Sequence, residues 1–410
     1  MTDIHRAPRL GDPAFRANPY PTYAWLRQNA PVIKVKAPFG FGSAYMITRY
    51  DDVAAVFKDP RFSTDMRRRT GGARSALSRW LPTSVRVLGN QMVTQDDPNH
   101  ARLKNLVHKA FTPGRVQGLS VRVEAITNEL LDRAATRKSI DIVEDFALPL
   151  PMTIISEMLG VPEDARVRFR VFMNNLLDAP GFGLLRAFKQ IGNTRRLIRF
   201  LNELIDLRRR EPDDRMITAL IAAEQEGDRL DQEELVGMLF LLLLAGHETT
   251  VNLIANGTLA LLEHPDQFRL LRDNPEHIKT AVEELLRFTN PVEHGVVRFA
   301  TDSIEVAGTA IPKGSTVMAM LSSANRDETV FKDADRLEIT RDPNRHLAFG
   351  LGMHYCLGAP LARMEAAIAL NGLLARFPAL RLAIAPEAVR WRPSIAGFRG
   401  LMELPVTLAA

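Results

Sequence analysis

The sequence predicts a mainly α-helical protein with small peripheral β-sheets, and three observations predict it. From about Asn99 onward, apolar residues recur at three- and four-residue spacing. One stretch, 231–264, is apolar nearly all round in its middle and long enough to cross the core of the molecule. Short β-branched and aromatic runs bounded by Pro and Gly are confined to the first part of the chain and its last third.

In chain order, a short helix is expected near Tyr20–Asn29, then strands at 32–36 and 44–48. Helices follow near 99–111, 115–136, 151–160, 163–177 and 184–209, and strand character returns at 296–307, 315–320 and 380–408. Leu230-Asp231-Gln232-Glu233-Glu234-Leu235 reads as the start of the long helix. Asp231 is its N-cap, Glu234 closes a capping box from the third helical position, and Leu230 and Leu235 form a hydrophobic staple. From there to His264-Pro265 is about 33 residues, roughly 50 Å of helix. No repeat, low-complexity segment or Gly/Ser-rich linker divides the chain, so residues 1–410 are expected to form one domain.

Composition narrows the function classes. With 46% hydrophobic and 25% charged residues among 410, the chain can bury a sizeable core. One cysteine excludes an intramolecular disulfide and cannot alone make a zinc site, which fits a reducing cytoplasm. The start is polar, with His5, Arg6 and Arg9 and no apolar run behind them, so a signal peptide or membrane anchor is not expected there. The most apolar run, 238–246, falls short of the roughly 20 residues a bilayer span needs. A formal charge of +5 is too dispersed for nucleic acid, and the clusters at 67–69 and 208–210 read as solvated loops or helix ends.

Chemistry concentrates in two places. The first is Phe349-Gly350-Leu351-Gly352-Met353-His354-Tyr355-Cys356-Leu357-Gly358, followed by a helix from Leu361. Its glycines permit positive φ, the following helix offers a positive dipole end that favours a thiolate, and Gly358 leaves room for a flat group. In isolation, a buried cysteine in a glycine-rich turn is the alternative. The second is Gly246-His247-Glu248-Thr249-Thr250 at the middle of the long helix, where burying a carboxylate and hydroxyls is costly unless they are bonded or used. Glu284-x-x-Arg287 adds an i,i+3 ion pair on one helical face.

Together these segments resemble the cytochrome P-450 family. FGLGMHYCLG matches its haem-binding signature Phe-x-x-Gly-x-x-x-Cys-x-Gly at every fixed position, and Ala245-Gly246-His247-Glu248-Thr249-Thr250 matches its oxygen-activation motif. Glu284 and Arg287 match its buried structural pair, with Arg341 as a third partner. The resemblance implies the family fold, with the long helix crossing above a haem b. Cys356 would be the iron ligand, Phe349 and Gly350 would shape its loop, Gly358 would give the haem room, and Ala245 would let the helix approach it. His354, Arg298, His100 and Lys104 would meet the haem propionates; the family has arginine where Lys104 stands, which loses the bidentate fork. Thr249 would assist oxygen activation, and Glu248 would relay protons.

By the same resemblance, the expected reaction is insertion of one oxygen atom from O2 into a hydrophobic substrate. Electrons would pass from NAD(P)H through a ferredoxin and its reductase, or a flavodoxin, to a cytoplasmic monomer. Lys104, His108 and Lys109 are candidates for docking an acidic partner. Substrate contacts are expected from 67–93, from 172–188, from Met238, Leu241 and Leu242, from Val292 through Val296, and from Ile395 to Phe398. Two alternatives are a peroxide-driven or bond-coupling haem-thiolate enzyme and a non-catalytic haem-binding partner protein.

Overall fold

The structure, a computed structural model, describes residues 8, 10–36, 42–69, 91–111, 113–166, 168, 171–172, 184–225, 230–393 and 397–408. These fall into two compact units. One comprises Met1–Ser63, Ser120–Leu150 and Glu248–Ala410, and the other Thr64–Leu119 and Pro151–His247.

The first unit holds the sheets. Five strands run side by side in the order Val32–Lys36, Ser43–Ile47, Thr316–Ala319, Arg298–Ala300 and Phe62–Ser63. The pairing is antiparallel except where Ser43–Ile47 runs parallel to Thr316–Ala319. Alternation sets its faces: Val32, Ile47, Val317 and Ala319 pack with Val53, Val56, Phe57 and Leu347 in one core cluster. Val35, Ala44, Met46 and Met318 turn the other way, onto Phe15, Tyr23 and Leu26 of the N-terminal helices. The C-terminal strand Pro405–Thr407 lies between Ser139–Asp141 and Arg381–Leu382. The region 380–408 thus contributes two short strands rather than an extended sheet. Helix Ala359–Arg376 packs against Ser120–Ala135 and Ile278–Thr289.

In the second unit, helix Met216–Gln225 packs against both Leu184–Arg210 and Asn99–Ala110. The segment expected as one helix over 115–136 is two, Pro113–Gly118 and Ser120–Ala135. The expected helix at 163–177 is described only in part, at 163–166, 168 and 171–172, all helical.

The long helix is Gln232–Glu263, 32 residues. Its N-terminus forms as the sequence predicts: Asp231 accepts from the Glu234 N–H at 2.7 Å, and the Asp231 N–H donates back to the Glu234 carboxylate at 3.0 Å. By length and composition the whole helix is apolar enough to cross a bilayer, a longer stretch than the 238–246 run suggested. Two-thirds of its most apolar window is buried within the protein, which accounts for that composition.

Candidate active site: a cysteine loop and an acid–alcohol helix

Cys356 is held by backbone geometry. Its N–H donates to Phe349 O at 3.0 Å, and the Tyr355 N–H donates to Gly352 O at 3.1 Å. Gly350 and Gly352 both sit at φ +68°, and a Cβ on Gly352 would lie 3.1 Å from Phe57 O, so the turn excludes other residues twice over. Helix Ala359–Arg376 starts three residues beyond the sulfur with no acidic residue in its first turn, leaving its dipole unopposed.

The thiol is exposed, which overturns the reading of a buried structural cysteine. Free cysteines are among the most buried residues in proteins. Gly358 lies beside the Cys356 thiol, where a Cβ would sit 4.0 Å from the sulfur, an ordinary contact distance. Among the described residues, no group of three or more His, Cys, Asp or Glu can hold a metal ion. A porphyrin supplies nitrogen ligands of its own, which suits a site built on one cysteine.

A network that sequence reasoning missed braces this loop. Arg363 makes paired bonds to Glu283 at 2.6 and 2.8 Å and lies 4.5 Å from the centre of the Phe349 ring. His346 meets the same carboxylate at 3.0 Å. Burial pushes the Glu283 carboxyl up, but the bonds from Arg363 and His346 outweigh it and bring the pKa down to about 2. One residue on, Glu284 and Arg287 form the fully buried pair that was expected, bonded at 2.7 and 2.8 Å. Arg341 joins through Nε at 3.2 Å, and the remaining Arg287 donors reach the carbonyls of Asn325, Ala334 and Arg336.

Arg298 is also buried, donating to Phe62 O at 2.9 Å with its guanidinium over the Phe57 ring. In the second unit, His100 is buried in helix Asn99–Ala110. Burial, then the Lys104 cation one turn on, lower its pKa, so His100 is held toward its neutral form. Arg67 is tied to Asp65 at 2.6 Å and Arg68 to Asp96 at 3.4 Å, internal pairings for two arginines of that cluster.

The middle of the long helix departs from its surroundings. Leu242, Leu244, Gly246 and Thr249 are half-buried and Ala245 is exposed, so burial loosens over 242–249 between buried stretches on either side. Met238 and Leu241, both expected to contact substrate, are buried. Glu248 is buried, with Asn252 Nδ2 at 3.5 Å and Arg392 Nη1 at 3.9 Å. Val292 and Val296 are half-buried in the first unit. Ile395 lies outside the described residues, as do 70–90 and 173–183 of the two expected substrate segments.

A second missed residue is Glu365, a turn and a half into the helix after the cysteine. It is fully buried, and neither oxygen makes a well-formed hydrogen bond. Burial pushes its carboxyl up to about 8, with the nearby Thr250 hydroxyl pulling more weakly the other way.

An exposed thiol on a glycine loop, a following helix dipole and an acid–alcohol pair on a buried helix define a haem-thiolate protein that activates oxygen. Comparison with known proteins places it more closely. The cytochrome P450 family model matches residues 38–382, and the chain belongs to that family. It is 44% identical over 401 residues to cytochrome P450 107B1 of Saccharopolyspora erythraea, covering 96% of each chain. It is 41% identical to the 6-deoxyerythronolide B hydroxylase of the same organism, covering 98% of each. The solved structure of the bacillaene polyketide synthase cytochrome P450 PksS of Bacillus subtilis superposes with a TM-score of 0.90 at 38% identity, over 98% of this chain and 100% of that one. The protein is accordingly a haem-thiolate monooxygenase that uses haem iron and O2, a redox partner and a small-molecule substrate.

Proposed function

We propose that the chain hydroxylates or epoxidises a hydrophobic natural product of polyketide or lipid type, with NAD(P)H electrons delivered by a separate ferredoxin or flavodoxin to a cytoplasmic monomer. The observation that supports the substrate class is the apolar character of the half-buried residues expected to meet substrate, Leu242, Val292 and Val296. Relatives support it: one is named a polyketide biosynthesis cytochrome P450 and another a vitamin D(3) 25-hydroxylase.

In this reading Cys356 is the thiolate ligand, with Phe349, Gly350 and Gly358 shaping its surroundings. Arg298, His354, His100 and Lys104 hold the two propionates. Haem, when bound, supplies the redox chemistry that places one oxygen atom in substrate and the other in water. The chain supplies the rest. Val292, Val296 and Leu242 orient substrate and exclude water, while the Thr249 hydroxyl donates a hydrogen bond beside the reacting oxygen. Glu248 takes protons from solvent and passes them toward Thr249. Met353 and Tyr355, exposed beside Cys356, offer an apolar seat for the electron donor. The side chain of Lys109 lies outside the described residues.

Titrating the ferric protein with a panel of macrolides, fatty acids and sterols tests the substrate class. A high-spin shift with at least one apolar class is expected; shifts only with small polar ligands would refute it. Thr249→Ala should keep consuming reductant while releasing peroxide in place of product. Full coupling in that variant would remove Thr249 from the mechanism.

A further inference from the structure

Three buried polar residues line one face of the long helix at four-residue spacing: Glu248, Asn252 and Asn256. Such a stripe in an apolar core helix needs partners, and one segment provides them. The C-terminal hairpin pairs Trp391 with Leu401, with Arg392 N–H bonded to Gly400 O at 2.8 Å and Met402 N–H to Arg390 O at 2.9 Å. Asn256 donates to Arg399 O at 2.7 Å. Asn252 sits so close to Gly400 that a Cβ there would meet its Oδ1 at 2.1 Å. At the end of the stripe, Arg392 reaches the Glu248 carboxylate, 3.9 Å away.

The hairpin is itself immobilised. Arg399 stacks on Trp391 at 3.7 Å and bonds the carbonyls of Arg16 and Ala17, while Arg16 Nε donates to Arg392 O at 3.0 Å. Arg16 and Arg399 share the buried carboxylate of Glu293, at 3.3 and 3.7 Å. The backbone carrying Arg392 is therefore fixed at both strands. Its side chain, 17% exposed, reaches from that fixed base to the Glu248 side chain, 4% exposed.

We infer that Arg392 is a positioning residue for proton delivery: from the C-terminal hairpin it holds the Glu248 side chain charged and aimed along the helix. The inference rests on Glu248 being the proton relay. A buried carboxylate is stable only when paired, and a proton acceptor must begin its cycle ionised. The gap of 3.9 Å is longer than a direct hydrogen bond, so the carboxylate is steadied by charge without being locked. Asn252 adds a neutral contact to the same carboxylate at 3.5 Å.

The test uses the haem-loaded enzyme with a ferredoxin and its reductase, and four variants: R392Q, R392K, E248Q and the double R392Q/E248Q. Product formed per reductant consumed should fall about tenfold in R392Q and recover most of the way in R392K. The double variant should be no worse than E248Q. Infrared difference spectra give a readout independent of turnover. A protonated-carboxyl C=O band should emerge in R392Q, stay absent in R392K, and vanish in the double variant. Multiplicative losses in the double variant, or wild-type coupling in R392Q, would overturn the inference, as would a loss in R392K equal to that in R392Q. Wild-type coupling in E248Q would instead overturn the relay reading beneath it.

Discussion

Glu365→Gln should stabilise the protein, and increasingly so as the pH rises. The Glu365 carboxyl is buried with a pKa of about 8, against 4.5 when unfolded. A carboxyl raised in this way is tolerated fully below the unfolded value, and stability is lost as the pH climbs toward the folded one. In that window the unfolded chain releases a proton that the folded chain retains, which costs up to about 1.4 kcal/mol for each pH step. Between about pH 5 and about pH 8 the cumulative loss is about 3 kcal/mol. With an unfolding entropy of about 2.1 cal/mol/K per residue over 410 residues, 1 kcal/mol is worth about 1 °C. Glutamine keeps the shape and cannot ionise. The melting temperature of E365Q relative to wild type, measured on the haem-loaded protein at one scan rate, should therefore rise by about 3 °C across that interval. A constant difference would show that Glu365 ionises at an ordinary pH and is not held neutral.

Two further substitutions test the scaffold. Glu284→Ala leaves Arg287 and Arg341 buried beside a missing carboxylate and should cost about 3–5 kcal/mol, read as a lower melting temperature and faster loss of haem. A melting temperature unchanged from wild type would show the pair to be dispensable. Gly400→Ala drives a methyl group into Asn252 and should destabilise by about 1–3 kcal/mol; adding Asn252→Ala should restore most of it. Additive losses would mean that the hairpin and helix do not press on each other as described.

What was legible in the sequence was local or carried by fixed spacing. The capping box at Asp231 and Glu234 formed with both bonds, and Tyr20–Asn29 and Val32–Lys36 have their expected bounds. Glu284 and Arg287 are three residues apart, so one helical turn sufficed to pair them, and the next acid-binding arginine, Arg341, was also foreseen. The residues that escaped notice depend on contacts far along the chain. Glu365 stands in Leu-Ala-Arg-Met-Glu, where a glutamate reads as a solvated helix position; packing against Thr250 and the surrounding core decides otherwise. Arg392 meets Glu248, and Arg363 meets Glu283, across separations that no periodicity encodes. The break between Pro113–Gly118 and Ser120–Ala135 was equally hidden, because the apolar spacing runs on through it.

The central claim is that the exposed Cys356 sulfur binds haem iron as a thiolate, and the carbon monoxide difference spectrum of the reduced protein tests it most directly. Wild type should give the red-shifted thiolate-type band. Cys356→His should lose that band while retaining haem, giving an imidazole-type spectrum, because the loop and its helix dipole stay in place. A wild-type spectrum of the imidazole type, or a thiolate band that survives the substitution, would contradict the account.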